Sequence, residues 1–255
     1  MIIYTSGGNT MSQNIYDNKI FFKGYKELRD RDDNYNELLE QPAMADLLPN
    51  LSDKIVLDLA CGYGYNSLDF IKRNAKKVVG IDISQNMLNV AESKFAHKNI
   101  EYLCMDMTEI SQLKQKVDFV YCSLAFHYVE DFKKLCKDIF ALLNNDGQLL
   151  FSQEHPIITA TVDGEGHFNK DESGNIVSYT FSNYNQGGIR KTHWFIDDVI
   201  KYHRPIGELI TTLAKTGFII EEVVEPLPKD WAIKKSQRLV REYIKPNFLI
   251  IKARK

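Results

Sequence analysis

This chain lacks an excess of either charge. Its 255 residues carry 32 Lys and Arg against 34 Asp and Glu, a formal net charge of -2. Electrostatics therefore give no reason to expect DNA, RNA or an anionic membrane as partner. Long apolar runs are missing too: none approaches the ~20 residues of a membrane span. The opening residues, MIIYTSGGNT, have no basic start and no apolar stretch and do not read as a secretory signal. Met11 offers a second possible start besides Met1, with the first ten residues a loose tail. Cysteine is scarce, with Cys61, Cys104, Cys122 and Cys136 and no CxxC pair. Three of the four fall in or beside expected buried strands, where a thiol behaves as a small hydrophobe, and scattered thiols suit a reducing cytoplasm. No spacing among the six histidines matches a zinc site, so no metal is expected.

What is present is an alternation. Residues 12–50, rich in Tyr, Phe, Asn and charge, read as short helices separated by a polar loop and closed by Pro49 and Asn50. Strands are expected at 55–60, 77–82, 100–105, 117–123 and 147–153. Helical stretches are expected at 65–74, 85–96, about 109–114 and 131–143, with a turn over 144–147. Strands alternating with helices imply βαβ units and a parallel sheet covered on both faces. The rhythm breaks over 155–203, where glycine turns flank apolar/polar alternation and hairpin-like strands are expected. It resumes with the helix IGELITTLAKT, with Gly217 just past its end. FIIEEVVEP and FLIIKARK supply two closing strands. The chain divides into N-terminal tail and cap helices (1–50) and one larger domain (51–255) carrying the 155–203 insertion.

Within VLDLACGYGYNS, residues 56–67, a strand gives way to a helix through Gly62 and Gly64. Glycine lets a ligand approach the backbone, and the N–H groups of the following helix start point at the same place. Two ligand classes compete. The dinucleotide fingerprint G-x-G-x-x-G would need glycine where Ser67 stands. Asp82 ends the second strand about twenty residues on, where a carboxylate can accept from ribose hydroxyls in either class. Ser84 is better placed than Asp82 to cap the next helix. Asp106, closing the third strand, separates the classes: it can accept from the exocyclic amine of an adenine while Met107 packs on the ring.

These residues together resemble the class I S-adenosylmethionine-dependent methyltransferases, over about residues 50–155 and more loosely over the closing strands. The first motif reads Asp58, Ala60, Gly62, Gly64, with alanine where the family pattern has glycine. GIDISQNMLNVAESK is similar to the second motif and MDMTEI to the third. DFVYCSLAFHYVEDF resembles the fourth strand and following loop of the ubiquinone/menaquinone-type branch. The resemblance implies a Rossmann-like, doubly wound α/β fold with a seven-stranded, mostly parallel sheet, its last strand antiparallel. It implies S-adenosylmethionine as cofactor and S-adenosylhomocysteine as product. The expected cofactor residues are Asp58, Ala60, Cys61, Gly62 and Gly64 in the first segment, and Asp82, Ile83 and Met87 in the second. Asp106, Met107 and Ser123 follow, with Tyr25 from the N-terminal helices. The Asn/Asp-Pro-Pro-aromatic signature of adenine amino methyltransferases is absent; that place reads Ser123, Leu124, Ala125, Phe126, His127.

An activated methyl needs chiefly a nucleophile held in line, and a base where that nucleophile must lose a proton. His127 and His155 follow the fourth and fifth strands, at the edge where open α/β sheets bind ligands, and are the candidate catalytic residues. Tyr128, His193, Trp194 and His203 are candidate substrate residues. Aromatics at Tyr16, Phe21, Phe22 and Tyr25, and at Tyr179, Phe181, Tyr184, Trp194 and Phe195, pack as core or form a lid over the cleft. The expected activity is methyl transfer to an oxygen or nitrogen of a small organic molecule, such as a quinone precursor; a modified tRNA base is a weaker option. The alternatives are a nicotinamide-dependent oxidoreductase and a non-catalytic S-adenosylmethionine-binding protein.

Overall fold

The computed structural model describes residues 13–29, 31–162 and 166–255. The expectations for Met1, Met11 and the first ten residues fall outside them. Two helices open the described chain, α1 (Lys19–Arg29) and α2 (Gln41–Leu47). Then come β1 (Ile55–Leu59), α3 (Tyr65–Lys72), β2 (Lys77–Asp82), α4 (Gln85–Lys94) and β3 (Ile100–Cys104). β4 (Val117–Cys122), α5 (Phe132–Leu142) and β5 (Leu143–Glu154) complete the alternating part. Ser84 caps α4 by accepting from the Met87 N–H, as its position suggests.

The insertion contains a short helix, α6 (Pro156–Thr159), and two hairpins. These are β6 (His167–Lys170) with β7 (Ile176–Thr180), and β8 (Gly188–Trp194) with β9 (Ile196–His203). The chain closes with α7 (Ile206–Thr216), β10 (Ile219–Val224), α8 (Asp230–Lys235) and β11 (Phe248–Arg254). The main sheet has seven strands in the order β10-β11-β5-β4-β1-β2-β3, and only β11 runs antiparallel to its neighbours.

Sheet burial follows from that order. The β1 sequence IVLDL is buried from its second residue on, because helices cover both faces. Alternate residues supply the two layers: Leu57 and Leu59 join the core under α5 and α7, whereas Val56 joins Met44, Phe70 and Tyr121 under α2 and α3. β3 is an edge strand and only partly buried, which leaves Cys104 exposed, contrary to the expectation of a buried thiol; Cys61, Cys122 and Cys136 are buried. The turn expected over 144–147 forms inside β5. Leu143 already pairs with Val117, the next pair is Phe119 with Gln148, and the intervening residues bulge out around Asp146 at φ 60°. The parallel strands β1 to β5 bring Ala60, Asp82, Asp106, Ser123 and Glu154 to one edge, the position for a ligand on an open α/β sheet.

Candidate active site

A cavity of about 270 Å³ lies along that edge. Its first half is built by the tips of β1, β2 and β3. The chain leaves β1 through Ala60 and Gly62, both at φ 54°, and Gly64 at φ 80°. A Cβ built on Gly62 would meet no atom within 4 Å, so the space beside that backbone belongs to the cavity. Gly64 serves packing instead: a Cβ there would collide with the Tyr102 hydroxyl. Ala60 carries a side chain in a backbone region that disfavours one, at a cost of about 1–2 kcal/mol.

Asp82 is buried and accepts from the Gly62 N–H at 2.9 Å and the Ser84 N–H at 2.8 Å. Burial nevertheless pushes its carboxyl up to about 6, and those two N–H groups hold it from rising further. Asp58 does not line the cavity. It is buried under α3, accepts from the Ser67 hydroxyl at 2.6 Å, and is pushed up to about 7 by burial. Ser67, in the place of the third fingerprint glycine, thus ties the helix start to β1. Asp106 accepts from the Thr108 N–H at 2.8 Å and lines the cavity with Cys61, Ile83, Met87 and Met107.

The second half is built by the tips of β4 and β5 and by covering segments. Ser123, His127, Tyr128 and Glu154 come from the sheet edge, Tyr16 and Tyr25 from the N-terminal segment, and Trp194 from the end of β8. Leu124 stands between them at φ 54°, its N–H held by the Ser152 carbonyl. His127 is buried, and burial pushes its imidazole down to about 4, so it is neutral at pH 7. Its Nδ1 accepts from the Glu154 backbone N–H at 3.4 Å, which leaves the ring proton on Nε2.

Polar contacts that no sequence motif announces hold these covers in place. Asn14 donates to the Ile83 carbonyl at 3.1 Å, and Asp17 accepts from the Ser84 hydroxyl at 2.6 Å. The buried Glu40 accepts from the hydroxyls of Ser123 and Ser152, tying the segment before α2 to the tips of β4 and β5. Phe21 is fully buried between Trp194, Phe195 and Tyr16, joining α1 to the β8–β9 hairpin. Burying a Phe contributes about 1.5–3 kcal/mol. Arg204 reaches from just past β9 to the Val129 and Glu130 carbonyls, and so fastens that hairpin to the loop carrying His127 and Tyr128.

Besides Asp58, three expected histidines lie off the cavity. His155 is the N-cap of α6: its Nδ1 accepts from the Ile157 N–H at 3.2 Å and its Nε2 faces Glu225 at 2.9 Å. His203 is buried with both nitrogens engaged, by Thr159 and by the Tyr184 carbonyl, each at 2.8 Å. His193 is exposed beside Asp197 at 2.7 Å across the hairpin turn. The insertion also divides. β8–β9 reaches the cavity through Trp194, whereas Phe168 and Tyr179 of β6–β7 pack beneath Lys245 outside it. Tyr16 and Glu154 line the cavity although the sequence motifs single out neither.

The cavity's chemistry fits S-adenosylmethionine. A buried carboxylate at the tip of β2, open space beside Gly62 and the Asp106–Met107 pair supply what a ribose and an adenine need. Among the described residues no group of three His, Cys, Asp or Glu could hold a metal ion. Comparison with known proteins agrees. Residues 56–147 match the methyltransferase domain family. A Haemophilus influenzae protein of uncharacterized function is 35% identical over 94% of this chain and 96% of its own. A ubiquinone biosynthesis O-methyltransferase of Coxiella burnetii is 33% identical over 40% of this chain, which spans 44% of that relative. The crystal structure of an S-adenosylmethionine dependent methyltransferase from Mesorhizobium loti is 32% identical, covers 89% of this chain and 100% of that one, and superposes with a TM-score of 0.80. With that fold, that identity over 89% of its length and this cavity, the chain belongs to the class I S-adenosylmethionine-dependent methyltransferases.

Proposed function

We propose that the enzyme transfers the methyl group to an oxygen or nitrogen of a small organic molecule held in the second half of the cavity. One observation carries this reading. Beside the expected cofactor residues the same cavity is lined by the chain's own Tyr16, Tyr128 and Trp194. Side chains from three separate segments meet there, which suits a molecule that enters whole. The near-neutral chain offers no electrostatic argument for a polynucleotide in its place.

In this reading Asp82 receives the ribose hydroxyls, Asp106 and Met107 the adenine, and the backbone at Cys61–Gly62 the remainder of the cofactor. S-adenosylmethionine supplies a methyl already activated on a sulfonium. The protein's task is therefore orientation and exclusion of water, and positioning contributes about 7–11 kcal/mol in favourable cases. Neutral His127 orients the methyl acceptor through Nε2–H. The 155–203 insertion serves as a wall through β8–β9. Three buried thiols suit a reducing cytoplasm. No helix among the described residues is long and apolar enough to cross a membrane.

The test is incubation with tritiated S-adenosylmethionine and size-fractionated cell extract. Label should enter the small-molecule fraction. Label confined to RNA or protein would overturn the small-molecule reading while leaving the methyltransferase assignment intact.

A further inference from the structure

Glu154, at the end of β5, is the feature of the cavity that orienting a methyl acceptor through His127 does not use. Its Oε1 is held by Lys201 Nζ at 2.6 Å. Its Oε2 is buried and has no hydrogen-bond partner. A carboxylate oxygen withdrawn from water without a partner is costly, and it persists in a cavity wall where a ligand can supply the missing donor. Lys201 is itself buried: its ammonium lies 5.6 Å from the centre of the Trp194 ring, and its strand β9 is fastened by Arg204. The inserted hairpin thus delivers a cation that fixes one oxygen of Glu154 and leaves the other for the cavity.

Building on the small-molecule reading above, we propose that Glu154 is a catalytic residue that takes the proton of a hydroxyl on the methyl acceptor, with Lys201 as its positioning residue. The neighbouring groups select a hydroxyl. Glu154 offers only an acceptor, and neutral His127 offers the Nε2–H donor. A hydroxyl oxygen gives its hydrogen to Glu154, accepts from His127, and keeps a second electron pair for the methyl carbon. An amine nitrogen has one pair, so a hydrogen bond from His127 would occupy the pair needed for attack. In the transfer the hydroxyl oxygen bonds to the methyl carbon and the carbon–sulfur bond breaks with its pair left on sulfur. The proton passes to Glu154, so a sulfonium and a carboxylate become a thioether and a carboxylic acid. The charged groups facing this carboxyl are Lys201 and Lys245, with neutral His127 and the hydroxyls of Tyr16 and Tyr128 beside it. Burial raises it, the Lys201 ammonium foremost outweighs that burial and holds it below the usual glutamate range, and it enters the reaction ionised.

The probes are phenol, aniline and toluene, titrated by ligand-observed NMR into the enzyme saturated with S-adenosylhomocysteine. Phenol should bind at least about tenfold more tightly than toluene, the effect of one hydrogen bond to a charged group, with aniline, a weaker donor to Glu154, between them. Replacing both partners, Glu154→Met with Lys201→Met, avoids a stranded buried charge, leaves no acceptor at that position and should abolish the preference. In Lys201→Met alone, the acid limb along which the phenol preference disappears should move to higher pH, which a purely structural lysine would not cause. Equal binding of phenol and toluene, or a preference that survives in the double variant, overturns the proposal. Calorimetric binding of S-adenosylhomocysteine is measured on the same samples; its absence from the wild-type protein would overturn the cofactor assignment instead.

Discussion

The two halves of the cavity are built by different rules. At the tips of β1 to β3 the backbone itself lines the cavity: Ala60 and Gly62 turn through left-handed conformations and Asp82 braces the turn. At the tips of β4 and β5 side chains line the cavity, and covers from far along the sequence hold them in place. The first half is contiguous with its strands. The second is assembled from an N-terminal segment, two strand ends and an inserted hairpin. A shared cofactor needs the same turn in every member of a family, whereas each methyl acceptor needs its own walls.

The division can be broken by variants that damage one half alone. The largest effect is expected for Lys201→Met, which strands the Glu154 carboxylate. Removing one partner of a buried pair costs about 3–5 kcal/mol, and partial exposure of Glu154 places this one near 3. Urea unfolding should show the loss, and affinity for S-adenosylhomocysteine should stay within a few-fold. His127 sharpens the same contrast through pH. Its folded pKa of about 4 lies below the usual 6.5, so the unfolded chain protonates first and wild-type stability falls as pH drops between those values. At about 1.4 kcal/mol per pH unit, His127→Gln should gain roughly 3 kcal/mol on wild type between pH 7 and pH 4. Comparison with the variant cancels Asp58 and Asp82, whose raised carboxyls act in the opposite direction.

The cofactor half responds through binding. Asp82→Ala removes the charged acceptor at the tip of β2 and should weaken S-adenosylhomocysteine by about 1.5–3 kcal/mol, tenfold or more by calorimetry. Since the Asp82 carboxyl sits at about 6, wild-type affinity should also fall as pH drops below that value. The smallest effect is a gain: Ala60→Gly relieves a side chain at φ 54° and should raise thermal stability by about 1 kcal/mol with cofactor affinity unchanged.

What could be read from the sequence follows the same line. Strand–helix alternation, the Ser84 cap and the glycine turn are local signals, and each appears in the structure within a few residues of its expected place. Asp82 and Asp106 were legible because their spacing from the turn is set by the βαβ unit. The histidines were not separable by sequence. His127 and His155 both follow strands, yet a proline after His155 starts α6 and turns that ring into a helix cap, whereas the short turn after Leu124 leaves His127 facing the cavity. Glu154 is illegible in the sequence for the opposite reason. A lone glutamate at a strand end carries no pattern, and what distinguishes it is Lys201, 47 residues away on the inserted hairpin. The hairpins themselves were expected, but which one would dock was not, because that choice depends on the ring of Phe21 in α1.

The most direct test of this account is a crystal structure with S-adenosylhomocysteine bound. The account predicts ribose hydroxyls within hydrogen-bond distance of Asp82, the adenine beside Asp106 and Met107, and the sulfur within roughly 8 Å of His127, which leaves room for a methyl acceptor beyond a ~3–3.5 Å reaction contact. A purine lodged between Trp194 and Tyr128, with Asp82 still engaged only by its own chain, would contradict it.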